Sequence, residues 1–133
     1  MNTLKEFVTS NAVDTVDVSY EQIRDAEKIL SFNFDTAYLT YLEICGQLEY
    51  EYLEFYGLGV PLSSHINVVR AYQELSTKNT YPKSTIPILD LGDGHYALYN
   101  IEDKKVIEWC ADGIVTVLAD NLESYMLDTL KKI

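Results

Sequence analysis

The spacing of apolar residues changes near Gly46, and this change sets the tightest limit on the fold. Before Gly46, apolar side chains recur every three or four residues, which is typical of amphipathic helices. After Tyr81, short apolar runs alternate with turn residues, which is typical of strands. Helices followed by strands predict an α+β domain whose sheet is mainly antiparallel. A length of 133 residues suits one such domain, spanning residues 1–133.

Two helices are predicted before Gly46. Ser19 and Gln22 have the spacing of a capping box, and the helix continues to Leu30. Asp35 can cap a second helix, whose apolar stripe ends at Cys45. Gly46 can end that helix, because glycine readily adopts the left-handed conformation of a helix C-terminus.

The rest of the chain predicts a strand at 49–53, a helix at 64–76, a run of strands and a closing helix. The later strands are predicted at 86–89, 96–100, 105–109 and 114–118, with glycine turns at 91–95 and 112–113. Residues 120–123 have the pattern of another capping box, with Asp120 as the cap. The helix that follows is expected to turn Leu122, Tyr125, Met126 and Leu130 inward.

The formal net charge of the chain is −11, and most of it lies in the first half. Residues 1–60 contain 11 acidic and 3 basic side chains, a net charge of −8. Such a surface repels nucleic acids and anionic lipids and attracts basic partners, so we expect neither nucleic acid nor membrane as a partner. Solubility alone is an equal explanation of the charge.

The two cysteines, Cys45 and Cys110, are expected to be reduced and buried, which is typical of a cytoplasmic protein. The first residues do not have the pattern of a signal peptide, and no apolar run has the length of a membrane span.

Catalysis, metal binding and cofactor binding are not favoured by any motif. Cys45 or Cys110 with a histidine would need a glycine-rich elbow or a helix N-terminus to activate the thiol, and a buried structural role is favoured. Asp90, Asp93 and His95 share one turn, but their spacing is that of a turn rather than of a metal loop. We therefore predict no catalytic residue, no metal site and no cofactor, and a protein that is not an enzyme.

Tyrosines and acids alternate after Gly46, and this segment is the predicted partner-binding site. Tyrosine offers a large contact area at low entropic cost, and carboxylates bind Arg and Lys. In the predicted strand, the tyrosines lie on one face and the acids on the other. The alternative is that the tyrosines pack inward and the acids only solubilise the strand. The predicted residues here are Glu49, Tyr50, Glu51, Tyr52, Glu54 and Tyr56.

Three segments, taken in order, resemble the SUKH superfamily, named after a fungal regulator of cell-wall glucan synthesis. Residues 23–46 resemble the family's "AE…LG" helix and its "LP…Y…FL…GG" segment. Residues 86–96 are similar to its "IPI…GxGDY", and residues 106–109 to its "VYxW", which the closing helix follows. The sequence departs from the family's pattern at Asp35, Gln47 and His95, where proline, glycine and aspartate are frequent. Asp93 and His95, in the segment like the glycine turn, complete the predicted partner-binding set.

The resemblance implies a single α+β domain without catalytic activity. In bacterial members it implies an immunity protein that neutralises a secreted toxin, often a nuclease, inside the producing cell. The expected partner is then a toxin domain with a basic surface, and an exposed sheet edge is compatible with a monomer or a weak homodimer. The alternative, implied by the fungal relatives, is a scaffold or regulatory module that binds proteins other than toxins.

Overall fold

The computed structural model describes residues 1–113 and 115–133. Within these residues the chain forms five helices and seven strands. The helices are α1 (Asn2–Ser10), α2 (Tyr20–Leu30), α3 (Thr36–Cys45), α4 (Val68–Leu75) and α5 (Leu122–Lys131). The strands are β1 (Asp14–Thr15), β2 (Leu48–Tyr50), β3 (Leu53–Phe55), β4 (Thr85–Gly92), β5 (His95–Asn100), β6 (Val106–Cys110) and β7 (Val115–Ala119).

The seven strands form one antiparallel sheet in which every strand pairs with its neighbour in sequence. This order confirms the predicted α+β class with an antiparallel sheet. Side chains alternate between the two sides of the sheet. The inner face is the side that packs on the main core, and it carries Leu48, Phe55, Ala97, Tyr99 and Val106. The outer face is the opposite side, and it carries Leu98, Ile107 and Trp109, which form a small second cluster.

The main core lies between the inner face and the helices. Tyr38, Tyr41 and Leu42 of α3 are almost wholly buried there. From α5, the four residues predicted to face inward are buried in the same core. On the outer face, Leu75 at the end of α4 and Tyr81 pack against the Trp109 cluster. The two faces therefore differ, because the inner one is largely covered and the outer one only in part.

Local sequence signals place the first helices where they were predicted. The side chain of Ser19 accepts a hydrogen bond from the Gln22 amide, and the Gln22 side chain accepts one from the Ser19 amide, which completes the capping box. Asp35 caps α3 by accepting from the Tyr38 amide at 3.0 Å. Gly46 ends α3 with φ of +65°, and a Cβ there would lie 2.1 Å from the carbonyl oxygen of Val16.

Several predicted boundaries are wrong. Helix α4 begins at Val68 rather than near residue 64, because Asn67 caps it by accepting from the amides of Val69 and Arg70. Helix α5 is capped by Asn121 rather than Asp120, since the Asn121 side chain accepts from the Ser124 amide. The helix α1 and the strand β1 were not predicted. The prediction for residues 114–118 includes Ile114, which lies outside the described residues.

The predicted strand at 49–53 is a hairpin. Leu48 lies opposite Phe55 and Tyr50 opposite Leu53, so β2 and β3 are joined by Glu51 and Tyr52 alone. Glu51 has φ of +53°, the left-handed region, which reverses the chain. The even alternation of tyrosines and acids therefore does not place them on two faces of one strand.

In the part of the chain that the structure describes, no helix has the length and apolar content needed to cross a bilayer.

Candidate functional site

A row of three carboxylates crosses the outer face at one end of the sheet. Asp14 on β1 lies opposite Glu49 on β2, and Glu49 lies opposite Glu54 on β3. Directly opposed residues project to the same side, with Cβ atoms about 5 Å apart. We call Asp14, Glu49 and Glu54 the acidic row. Like charges that face each other across strands destabilise a sheet, so this arrangement is unfavourable for the isolated fold.

The next two strands place a fourth carboxylate and then an aromatic ring on the outer face. Leu89 of β4 lies opposite Phe55, and the residue after it, Asp90, lies opposite Tyr96 of β5. Tyr96 in turn lies opposite Trp109 of β6. Across the outer face, acidic side chains thus give way to aromatic ones.

A cleft of about 670 Å³ opens between α4 and the strands β3 and β4. It reaches the outer face at Glu54, Asp90 and Tyr96, and Thr129 of α5 also lines it. Its acidic side chains are Glu54, Glu74 and Asp90. One basic side chain, Arg70, lies at its rim, where its Nε donates to Glu74 at 3.0 Å and its Nη1 to the Ser63 carbonyl. The apolar lining comprises Leu53, Ile66, Leu89 and Leu91, and the tyrosines are Tyr52, Tyr56 and Tyr96.

Two of these tyrosines lie among the carboxylates of the cleft. Tyr56 is only 8% exposed, and burial raises its pKa, with further contributions from Asp90, Tyr96 and Glu74. Burial likewise raises the pKa of Tyr96, again with contributions from Asp90 and Glu74. Asp90 and Glu74 contribute to both shifts and line the same cleft as the two tyrosines, so the two phenols and the two carboxylates lie in one region. Neither phenol hydroxyl has a hydrogen-bond partner among residues 1–113 and 115–133.

The predicted partner-binding residues of the first segment divide among three places. Glu49 and Glu54 belong to the acidic row, and Tyr56 lies in the cleft. Glu51 and Tyr52 form the exposed hairpin turn, where Tyr52 is 80% exposed. Tyr50 points to the inner face. The prediction that Tyr50 and Tyr52 share a face is wrong, because the turn separates them.

Tyr50 packs on α1. Its ring meets that of Phe7 edge-on, with centroids 5.8 Å apart. For this tyrosine the alternative of inward packing is therefore the correct one.

Asp93 and His95 lie away from the acidic row. Asp93 is exposed in the turn between β4 and β5, with φ of +55°. His95 lies opposite Cys110 and projects to the inner side of the sheet, where its Nδ1 is 2.8 Å from a carboxylate oxygen of Glu108. The structure does not bring these two residues together with the predicted segment at 49–56.

Sequence reasoning missed Asp14, Glu74 and Tyr96 as parts of the site. Asp14 meets Glu49 only through strand pairing, and Glu74 reaches the cleft from a helix. Of these three residues, only Glu74 could have been linked to another cleft residue from the sequence. Its spacing of four from Arg70 places both side chains on one face of α4.

The thiols and imidazoles are held in structural contacts. Cys45 is fully buried, and burial raises the pKa of its thiol to about 12, which disfavours the nucleophilic thiolate at neutral pH. The thiol of Cys110 donates to a carboxylate oxygen of Asp112. His65 lies 3.4 Å from Glu54 at the rim of the cleft. Among the described residues, no group of three or more His, Cys, Asp or Glu side chains is arranged to hold a metal ion.

The fold and the sequence together define the class of protein. An antiparallel sheet whose inner face carries the main core, with a cleft beside α4, is an α+β domain. The sequence matches the family SUKH_5, described as SMI1-KNR4 cell-wall, over residues 1–131, and the chain belongs to that family. The family is generally non-catalytic.

A solved structure with the same fold is the crystal structure of a protein from Pseudomonas syringae pv. tomato. The two chains are 21% identical, with a TM-score of 0.72, and the match covers 87% of this chain and 86% of the other. At this identity the similarity shows the fold alone. The search of curated proteins found no match.

Proposed function

We propose that this protein is an immunity protein that binds a toxin domain with a basic surface through its outer face. The acidic row and the cleft form the centre of the binding surface. Membership of the SUKH_5 family is consistent with this role. The protein then acts in the cytoplasm of the cell that makes the toxin.

The acidic row is the observation that carries the proposal. Three carboxylates in directly opposed positions destabilise the free protein. A partner that inserts Lys or Arg side chains between them turns this repulsion into attraction. Surfaces that are unfavourable in the free state and favourable in a complex are typical of binding sites.

The acidic outer face also suggests how inhibition works. A nuclease binds its substrate in a basic groove, and a surface of opposed carboxylates competes with phosphates for the same Lys and Arg side chains. Such charge pairing speeds association, and its contribution falls as salt screens the charges.

The test first asks whether a toxin domain is encoded beside this gene, and then uses that domain as the partner. Co-expression of the protein is expected to restore growth of cells that make the toxin. In binding measurements, affinity is expected to fall as sodium chloride rises. Glu49→Lys is expected to weaken binding by at least about 100-fold, since it reverses the central charge of the row and repels a basic partner.

Glu6→Lys is the matched control. Glu6 is exposed on α1, which packs on the inner side of the sheet, so its reversal changes the net charge equally without touching the outer face. Equal weakening by the two variants, or an affinity that does not respond to salt, would count against the outer face as the binding surface. Failure to restore growth would remove the immunity role.

A second candidate function is a scaffold that joins two proteins, and the free edge of the sheet favours it. Among the residues that the structure describes, no strand pairs with the outer edge of β7, whose Val115 and Val117 are 49% and 55% exposed. Exposed apolar edges of this kind pair with strands of other chains. A scaffold would bind one partner at the outer face and another at β7, so a ternary complex would distinguish it from an immunity protein.

A further inference from the structure

The cleft contains a polar group that the fold leaves without a partner. The side chain of Tyr56 is more than nine-tenths buried, yet its hydroxyl has no hydrogen-bond partner among the described residues. The hydroxyl oxygen itself is reached by solvent, because the buried side-chain polar atom without a partner among the described residues is that of Tyr38. The Tyr56 hydroxyl is therefore open to the cleft that it lines. Because Tyr56 lines the cleft, a ligand in the cleft can supply that partner.

The groups around this hydroxyl select a positively charged donor. Asp90 uses one carboxylate oxygen to accept from the Gly92 amide at 2.8 Å, and Glu74 uses one to accept from Arg70. Each carboxylate thus retains an oxygen that can accept further hydrogen bonds. The hydroxyls of Tyr56 and Tyr96 can accept as well. An anion would be repelled by the two carboxylates.

The shape of the cleft favours a long side chain with a planar head. Its apolar lining suits a methylene stem, and its tyrosine rings suit a cation stacked on an aromatic face. Arginine presents five N–H donors in a rigid plane, whereas lysine presents a compact charge with three. Four acceptors spread over two carboxylates and two phenols match the guanidinium better.

The guanidinium of Arg70, which lies at the rim of the cleft, does not occupy the space between Asp90 and the two phenols. Arg70 is committed at the rim, where Nε binds Glu74 and Nη1 binds the Ser63 carbonyl. It neutralises part of the charge of Glu74 and leaves Asp90 as the main anion beside the two phenols.

We propose that the cleft of the outer face receives an arginine side chain of the partner protein, bound by Asp90, Glu74, Tyr56 and Tyr96. The proposal rests on the proposed function for the identity of the partner, but not for the chemistry of the cleft. The arginine would be the anchor of the interface, with its guanidinium desolvated between carboxylates and aromatic rings.

The first experiment uses the free protein and a small probe. Nα-acetyl-arginine amide is titrated into the protein while the backbone amides are followed by NMR, with Nα-acetyl-citrulline amide as the neutral control of the same shape. Saturable shifts at cleft residues are expected with arginine amide, and at least tenfold weaker binding with citrulline amide. Equal effects of the two amides, or shifts away from the cleft, would refute the proposal.

Variants assign the binding to the named groups. Asp90→Asn retains the oxygen that accepts from the Gly92 amide and removes the charge, and it is expected to weaken arginine amide binding at least tenfold. Tyr56→Phe is expected to weaken it severalfold. Asp25→Asn on α2 removes an exposed charge outside the cleft and is expected to have no effect. Unchanged binding by Asp90→Asn would overturn the assignment.

The two proposals fail in different ways. Binding of arginine amide in the cleft without toxin neutralisation would support the arginine site and remove the immunity role. Neutralisation that Asp90→Asn leaves intact would support the immunity role and remove the arginine anchor.

Discussion

Replacing Glu49 by glutamine is expected to stabilise the free protein. Glu49 is the middle member of the acidic row and faces Asp14 on one side and Glu54 on the other. Carboxylates on opposed residues lie about 6 Å apart, where two charges in water repel by about 0.7 kcal/mol. Removing both repulsions raises the free energy of unfolding by about 1.4 kcal/mol at low salt. At an ionic strength of about 0.15 M, where the screening length is about 8 Å, the gain falls to about 0.7 kcal/mol.

Urea unfolding followed by circular dichroism measures this change, at low salt and at physiological salt. Glu6→Gln is the control, because Glu6 has no charged residue three or four positions away on α1. Glu49 is the informative member of the row, since Glu54 also lies beside His65 and its removal would cost that contact. A loss of stability in Glu49→Gln, or a gain that salt does not reduce, would show that the carboxylates do not repel each other as argued. A variant more stable than the parent and yet weaker in toxin binding would identify the row as a functional surface.

Three further outcomes are expected. Asp35→Ala removes the carboxylate that accepts from the Tyr38 amide and, at 2.6 Å, from the Tyr99 hydroxyl. Urea unfolding should show that the free energy of unfolding falls by about 2–3 kcal/mol. A decrease no larger than that caused by Tyr99→Phe alone would contradict this double role of Asp35. Tyr38→Phe should be neutral or stabilising by up to about 1 kcal/mol in the same assay, because the Tyr38 hydroxyl is buried without a partner among the described residues; a clear loss would reveal a hydrogen bond. Burial raises the pKa of seven tyrosines, namely Tyr38, Tyr41, Tyr56, Tyr81, Tyr96, Tyr99 and Tyr125. The free energy of unfolding should therefore hold from neutral pH to about pH 9 and fall above about pH 10, where the unfolded chain releases tyrosine protons that the folded protein retains. Urea unfolding at a series of pH values measures this, and an unchanged stability at pH 11 would contradict it.

The helix ends were the most predictable part of the fold. Ser19 with Gln22, Asp35 and Gly46 act on backbone groups within three or four residues of themselves, so a single stretch of sequence contains the whole interaction. The same holds for the glycine turn between β4 and β5. The two helix starts that were predicted wrongly, those of α4 and α5, each have more than one possible capping residue close together. Asn67 and Asn121 compete with neighbouring polar residues as caps, and packing selects among them.

The candidate site was predictable in composition but not in arrangement. Glu49, Glu54 and Tyr56 were identified from their residue types, and all three lie at the acidic row or the cleft. The hairpin turn at Glu51 was not recognised, because left-handed backbone at a glutamate has no strong sequence signal. That turn directs Tyr50 to α1 and leaves Tyr52 in solvent.

The order of secondary structure, the inward helix stripes and the excess of acid follow from the amino-acid sequence, because they depend on residue type and on spacing over a few positions. The pairing register of the strands, in contrast, does not follow from local residue type or spacing. That Asp14 faces Glu49, and that Asp90, Glu74, Tyr56 and Tyr96 share one cleft, depends on contacts between residues far apart in the chain. Those contacts are fixed by how the whole sheet pairs and how α4 packs beside it, and so the folded protein alone turns scattered acids and tyrosines into a surface.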